Sequence, residues 1–555
     1  MLCEDIITEI CRYSNTKEIL RICRTCRSYY EKIFINGNIT KDRTFNLKGD
    51  IKNIQILGNI RYKVYCLNLN ENKYITDDDF KYFKGIHTLN MNNCTQKEIT
   101  DKAFKNLKGI HTLMMDNCNQ EEITDEAFVN VKGINRLSIK NSRKLTDKAL
   151  EYLEDIKKLD ISGGEIQYGK KITDEGLRKL KEMESLRISY CDTVSNKIFK
   201  KLKKIKELEI HNCKNLTTNL VGYLPNIETF SYTGRNAVSD QDFLNFKGIK
   251  KLRLVYCDME NVTDRAFKNL IGIKSLDISG SKLNITDKAF KNLKGIECLK
   301  MTYSKINITD KAFLNLEGIK VLSISSDSEQ ITDKALENLK DLEKLRINHC
   351  YKMTDEAIKN LENLKELDIR GCHRITDAAF KNLKYIHSLN IHGCKQISDN
   401  FFKNRRGIYK LDIGRCKQLT DKSFENFGGI KKLNMEHCSQ ITDNGLKYLI
   451  GIKKLNISFC RQITDDGLKY LVGIKKLNMS NCNLVTDNAF QYLTGIKELR
   501  MAGCHQETIT DSAFKNFKGI NILDIRYCIQ KTITDRSLKY LKSITTLSNE
   551  MYSGY

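Results

Sequence analysis

Apolar and polar positions alternate in two rhythms that take turns along most of the chain. In the stretch from Lys431 to Ile452, Leu433 and Met435 alternate with Lys432, Asn434 and Glu436. That period of two predicts a short strand with one buried face. Further on, Leu446 and Leu449 fall three apart, which predicts a short helix with one apolar face. Thr442 or Asp443 has the side-chain oxygen that begins such a helix, and Gly451 can take the left-handed conformation that ends it. A strand of this length cannot bury its face alone, so the unit predicts stacking against another copy of itself.

Other copies are plentiful. A unit close to Ile-Thr-Asp-Lys-Ala-Phe-Lys-Asn-Leu-Lys-Gly-Ile-Lys-Lys-Leu-Asp-Ile-Ser recurs with its Asp running from Asp77 to Asp535, most often every 22 residues. Worn copies keep the register, with Val194-Ser195-Asn196 and Leu216-Thr217-Thr218 standing where Ile-Thr-Asp belongs. We count 21 units of 22 to 27 residues between positions 67 and 548. Periods in this range with Leu-x-Leu cores indicate a leucine-rich solenoid. The expected fold class is therefore α/β: a curved parallel sheet inside, short helices outside, and a small helical segment at the N-terminus. Residues 35–66 read as a connector or degenerate capping repeat, and 549–555 as a tail.

The cysteines follow the same register. Fourteen of the twenty stand five residues after the strand Leu, from Cys94 and Cys118 to Cys504 and Cys528. At that corner a small thiol can be buried and share hydrogen bonds with loop backbone. Metal binding, helped by His349, His437 and His505, is the rival reading. Zinc needs ligands converging on a point, whereas a ladder spreads them along a line, so no metal and no cofactor is expected. The ladder and the Ile-Thr-Asp unit resemble the cysteine-containing leucine-rich repeats found largely in F-box proteins.

The first 34 residues lack the unit. Ile6, Ile10 and Tyr13 fall at helical spacing, then Ile19, Leu20, Cys23 and Cys26 form a second apolar stripe, with Ser14 or Asn15 able to begin that helix. This segment resembles an F-box: Leu2, Asp5, Ile6, Ile7, Ile10, Ile19, Leu20, Cys26 and Arg27 match its pattern, while Cys3 replaces the usual Pro and Tyr29 the usual Trp. The Ile, Asn and Lys excess with a single Pro suggests an A/T-rich genome, and the whole resembles the F-box repeat proteins of giant amoebal viruses. The resemblance implies that residues 1–34, Tyr29 included, dock on a Skp-type adaptor of a cullin ubiquitin ligase. The rival readings are a plain helical cap shielding the first repeat and a small zinc site from Cys3, Cys11, Cys23 and Cys26.

Composition narrows the setting. Among 555 residues, 93 Lys plus Arg oppose 69 Asp plus Glu, a formal charge of +24. No uncharged apolar run is long enough to cross a bilayer, and the start has no signal-peptide pattern. Free thiols in a reducing, cytoplasmic compartment are expected, within a host cell if the viral resemblance holds, with no membrane partner. Asn-x-Ser/Thr matches such as those at Asn38, Asn284 and Asn307 then read as chance.

The charge is not spread evenly. The 66 positions flanking the buried strand residues hold 16 Lys or Arg and 12 Asp or Glu, a net of +4, so most of the excess lies in the helix and loop parts. A solvated outer face explains that better than a specific nucleic-acid track, which would need concentrated cations and aromatic platforms. About 22 strands at ~4.8 Å spacing offer an inner arc of the order of 100 Å, enough for a protein partner. One column is sharper: Lys410, Lys432, Lys454 and Lys476 repeat every 22 residues beside Asn434, Asn456 and Asn478. Such a row could hold an acidic or phosphorylated segment of a target. The irregular stretches at 163–170 and 191–238, the latter with the only proline, Pro225, are further rim candidates.

No phosphate loop, Gly-x-Ser-x-Gly elbow or His-Glu-x-x-His pair occurs, and no enzymatic activity is expected. By its resemblance to the F-box family the sequence reads first as the substrate-recognition subunit of a cullin-type ligase. Second comes an interaction scaffold or decoy without a ligase, and third a thiol- or metal-dependent hydrolase.

Overall fold

The computed structural model describes residues 44–46 and 66–548, apart from 142–144, 164–171, 326–329, 404, 406, 426–427, 518, 529, 542–543 and 545. The chain forms two compact units, Met1–Asp258 and Met259–Tyr555. The expectations for residues 1–34, most of 35–66, the insertion beyond Gly163 and the tail 549–555 lie outside the described residues.

In the first unit, parallel strands follow one another in chain order. Thr44–Asn46 pairs with Cys66–Asn68, and the ladder continues through Thr88–Asn90, Thr112–Met114, Arg136–Ser138 and Lys158–Asp160. Ser185–Ser189, Glu207–His211, Thr229–Thr233 and Lys251–Val255 complete it. The second unit repeats the arrangement from Ser275–Asp277 to Thr546–Ser548. The register never slips within a unit, so Leu411, Leu433, Leu455 and Leu477 lie opposite one another. A slip of one residue would turn each buried Leu outward, which is why the repeat fixes the register.

The helical segments stack on their neighbours as the strands do. They are short segments of three to seven residues, α as at Asp443–Leu446 or 3-10 as at Lys447–Leu449 and Asp487–Leu493. Helices this short do not form alone in water, so burial of one side holds them. Phe104, Phe128, Phe267, Phe290, Phe313 and Phe380 sink into the core from this side. Gly451 ends its segment at φ +85°, the left-handed conformation expected there.

The two candidates for starting each helix have separate duties. Thr442 is the N-cap, its Oγ1 accepting from Asn444 N at 3.2 Å. Asp443 instead reaches into the next repeat, where Oδ1 accepts from Thr464 N at 2.9 Å and Oδ2 from Thr464 Oγ1 at 2.6 Å. The same pair of hydrogen bonds joins Asp264 to Thr286, Asp287 to Thr309, Asp355 to Thr376 and Asp421 to Thr442, and in the first unit Asp77 to Thr100 and Asp101 to Thr124. The motif is thus both a cap and a staple between repeats.

The cysteine ladder is buried along its whole length. In at least ten of the fourteen rungs Sγ donates to the carbonyl of the second buried strand residue in the preceding repeat, as from Cys460 to Met435 O at 3.0 Å and from Cys394 to Ile369 O at 3.1 Å. Where Ser304 takes the place of Cys, its Oγ makes the equivalent bond to Ile278 O at 2.8 Å. The rung thus needs a small buried donor, and sulfur supplies it at low desolvation cost.

Candidate interaction face

Each strand turns its Leu and the residue two further on into the core and three flanking residues outward, with the burial pattern exposed, buried, intermediate at Lys432–Asn434, Lys454–Asn456 and Lys476–Asn478. Register stacks these outward residues into columns. The predicted lysine row is one of them: Lys410, Lys432, Lys454 and Lys476 are consecutive partners, and all four are exposed. Glu498 closes the row, bonded to Lys476 Nζ at 2.7 Å and to Arg500 at 3.0 Å. Partial burial works against the charge of Glu498, but the Lys476 bond and the surrounding cations outweigh it and hold the carboxyl below its usual range.

The asparagine column has an internal duty that the sequence reading did not foresee. Asn434 Oδ1 accepts from Glu436 N at 3.2 Å, Asn456 Oδ1 from Ser458 N at 3.0 Å and Asn478 Oδ1 from Ser480 N at 3.1 Å. These are Asx turns that bend the chain off the strand. Asp277, Asp368 and Asp412 do the same. The remaining amide donors are partly used, Asn434 on Asp412 at 3.0 Å and Asn456 on Glu436 at 3.1 Å.

Elsewhere several outward residues are paired across strands. In the first unit Lys140 pairs with Asp160 at 3.2 Å, Arg187 with Glu209 at 3.0 Å, and His211 with Glu209 at 2.7 Å. The His211 bond, set against burial and aided by Arg187, holds the Glu209 carboxyl low. These residues line a polar depression of about 500 Å3 with Tyr190 and Asn212. In the second unit a depression of about 430 Å3 is lined by Lys344, Arg346, Glu366, Asp368, Arg370 and their neighbours. There Lys344 meets Glu366 at 2.7 Å, and Arg346 and Arg370 share Asp368 at 3.2 and 3.3 Å. Buried atoms without a hydrogen-bond partner beside this region are Asn348 Oδ1 and Arg370 Nε.

One further column was not legible as such. The residue before each ladder position has positive φ, and besides Gly371 and Asn93 it is often aromatic, as at Tyr190, Tyr256, Tyr303, Phe459 and Tyr527. The left-handed conformation disfavours such side chains. Rings at this corner therefore depend on neighbours, as where His437 stacks on Phe459 with centroids 4.1 Å apart.

The thiols of the ladder are not activated. Burial pushes Cys372, Cys460 and Cys504 up to about 12, so these thiols are protonated at neutral pH and are poor nucleophiles. Among the described residues no group of three or more His, Cys, Asp or Glu is arranged to hold a metal ion, and no helix is long and apolar enough to cross a membrane. The predicted adaptor-binding residues, from Leu2 to Tyr29, lie outside the described residues, so their placement adds nothing to the sequence reading.

Comparison with known proteins gives the same architecture. The BspA-type leucine-rich-repeat region matches six times, over residues 63–172, 170–297, 236–365, 283–409, 351–472 and 417–545. No curated protein matches. Among solved structures, the TLR13 complex with a single-stranded RNA is similar, with 17% identity over 87% of this chain and 77% of that chain and a TM-score of 0.46. Likeness at that level carries no information on ligand. Repeats of this kind are suited to binding other proteins, and the match to the repeat region spans most of the sequence. The chain belongs to the leucine-rich-repeat family, in its BspA-type class.

Proposed function

We propose that this protein is a non-enzymatic receptor that holds a protein target on the outward columns of its repeats and presents it to a cullin-type ubiquitin ligase. The observation that carries the binding half is the separation of duties within each repeat. Leu, Phe, Cys and the Thr–Asp staple occupy buried or internally bonded positions, while exposed strand positions such as Lys410 and Lys454 make no internal contact that fixes their identity. Such positions vary without disturbing the core and are free to match a partner.

The ligase half rests on the resemblance of residues 1–34 to an F-box. Docking there on a Skp-type adaptor while the repeats hold the target would keep the target near the ubiquitin-bearing enzyme. The catalytic contribution would be proximity, and two modest contacts in one chain gain from effective concentration.

The test is co-precipitation of the full chain with purified Skp-type adaptor. Binding that disappears in the variant I6E/I10E/L20E supports the receptor. An adaptor that never co-precipitates with the wild-type chain refutes the ligase half and leaves a scaffold or decoy.

A further inference from the structure

The outward columns of the second unit change character between Lys410 and Lys497. Before that stretch and at its far end, cations are matched across strands. In the column just before the strand Leu, Lys344 pairs with Glu366 and Lys476 with Glu498. One position earlier, Lys274 pairs with Glu297 and Lys365 with Glu343. Between them the pattern fails twice over: Lys410, Lys432 and Lys454 face one another in the first column, and the second column reads Lys431, Lys453, Lys475 and Lys497. Among the described residues none of these seven has a carboxylate within 4 Å.

The second row is held in place without being neutralised. Lys453, Lys475 and Lys497 donate Nζ to the carbonyls of Gly473, Gly495 and Gly519, at 3.5, 3.2 and 2.8 Å. A carbonyl fixes the ammonium and leaves its charge intact. Lys432 lies over the Tyr409 ring at 5.6 Å, with the same result. With Lys476 included, eight lysines stand against Glu498 over five consecutive strands, a span of about 19 Å at ~4.8 Å per strand. Like charges at the ~4.8 Å strand spacing would repel by about 0.9 kcal/mol even in bulk water, so the strip does not serve the stability of the fold.

We propose that this strip is the docking site for an extended, acidic segment of a protein partner. The inference deepens the target-binding reading given above and rests on it. Width argues for a single extended chain, because Asp412 and Glu436 stand on the inner side of the strip and limit it to two columns. Length argues for the same: an extended segment with acids at alternate positions sets a carboxylate every ~6.7 Å and meets the strip three or four times. Nucleic acid fits less well, since base stacking needs free aromatic faces among the cations. Within the two columns Tyr409 is the one exposed large ring, and Lys432 covers its face.

The test uses the full chain and fluorescence anisotropy with two probes, a short fluorescein-labelled peptide alternating Glu and Ser, and a uridine oligomer of equal charge. The peptide is expected to bind the wild-type chain and to lose at least about tenfold in affinity in K432E/K454E. The charge-matched variant K268E/K291E, on exposed helical positions, should bind as wild type. Equal losses in both variants would reduce the effect to net charge and overturn the proposal, as would no peptide binding or tighter binding of the oligomer. Any of those failures leaves adaptor co-precipitation, which depends on residues 1–34, as a separate outcome.

Discussion

Removing one inter-repeat staple should open the stack locally, and the size of the effect follows from its bonds. In Asp443→Ala, Thr464 loses the acceptor of its backbone N–H, 2.9 Å away, and of its hydroxyl, 2.6 Å away. Hydrogen bonds to a charged group contribute about 1.5–3 kcal/mol each, and this pair is partly exposed, so a total of about 2–4 kcal/mol is expected. The protein contains its own milder variant. Asn196 stands in the Asp position and keeps the bond from Thr217 N at 3.1 Å, while its Nδ2 donates to Thr217 Oγ1 at 2.8 Å, and Thr217 makes no side-chain cap. Asp443→Asn should therefore cost about 1 kcal/mol, the value of a lost cap. Since each repeat touches only its neighbours, the readout is hydrogen exchange of the Thr464 region rather than a global melt. The Ala variant should accelerate exchange there roughly 30- to 1,000-fold, and the Asn variant about fivefold. Asp466→Ala is the control, because Asp466 is exposed and its side chain meets only Lys469, at 3.1 Å. If Asp443→Ala exchanges no faster than that control, the staple has no stabilising role.

The cysteine ladder gives two further expectations. In the native protein Cys372, Cys460 and Cys504 should resist alkylation at pH 8 while the unfolded chain reacts, as read by site-resolved mass spectrometry, because burial lifts each to about 12. The same shift works against stability in alkali: below about pH 9 both states are protonated, and between pH 9 and 12 only the unfolded thiols ionise. Each such thiol then costs about 1.4 kcal/mol per pH unit, so the urea midpoint of Cys460→Ser should approach or overtake the parent's as pH rises through that window. Phe290, fully buried against Phe313, should cost about 3–5 kcal/mol as Phe290→Ala in urea unfolding monitored in the second unit.

Much of this was legible in the sequence because the repeat reports its own register. A fixed step between copies of Leu-x-Ile forces the Leu column, the cysteine ladder and the row Lys410 to Lys476 into line before any coordinates are known. The Thr–Asp staple was hidden for the opposite reason: both residues suit a helix N-terminus, and only the distance from Asp443 to the next repeat's Thr464 separates their duties. The left-handed corner escaped because Tyr303 and Phe459 are not residues that advertise positive φ. The break between Asp258 and Met259 leaves the repeat pattern uninterrupted and so leaves no trace in composition. The second lysine row lies one residue before the strand, outside its alternation, and its bonds to glycine carbonyls of the next repeat set it beside the first row.

Two adjacent outward positions should respond to substitution in opposite ways, and that contrast says where partner specificity is stored. Asn456 faces outward, yet its Oδ1 holds the turn at Ser458 N and its Nδ2 meets Glu436. Asn456→Ala should therefore cost about 1 kcal/mol, the usual worth of a hydrogen bond, in urea unfolding. Lys454, two residues earlier, has Lys432 and Lys476 as its strand neighbours and no ion pair. Lys454→Glu should leave stability within about 0.5 kcal/mol or raise it by relieving repulsion. A repeat protein can change its partner cheaply only at positions of the second kind, so the column before the strand Leu would carry recognition while the column after it carries the turn. If Lys454→Glu destabilised the fold as much as Asn456→Ala, the lysine row would be part of the scaffold, and its claim to a partner would go with it.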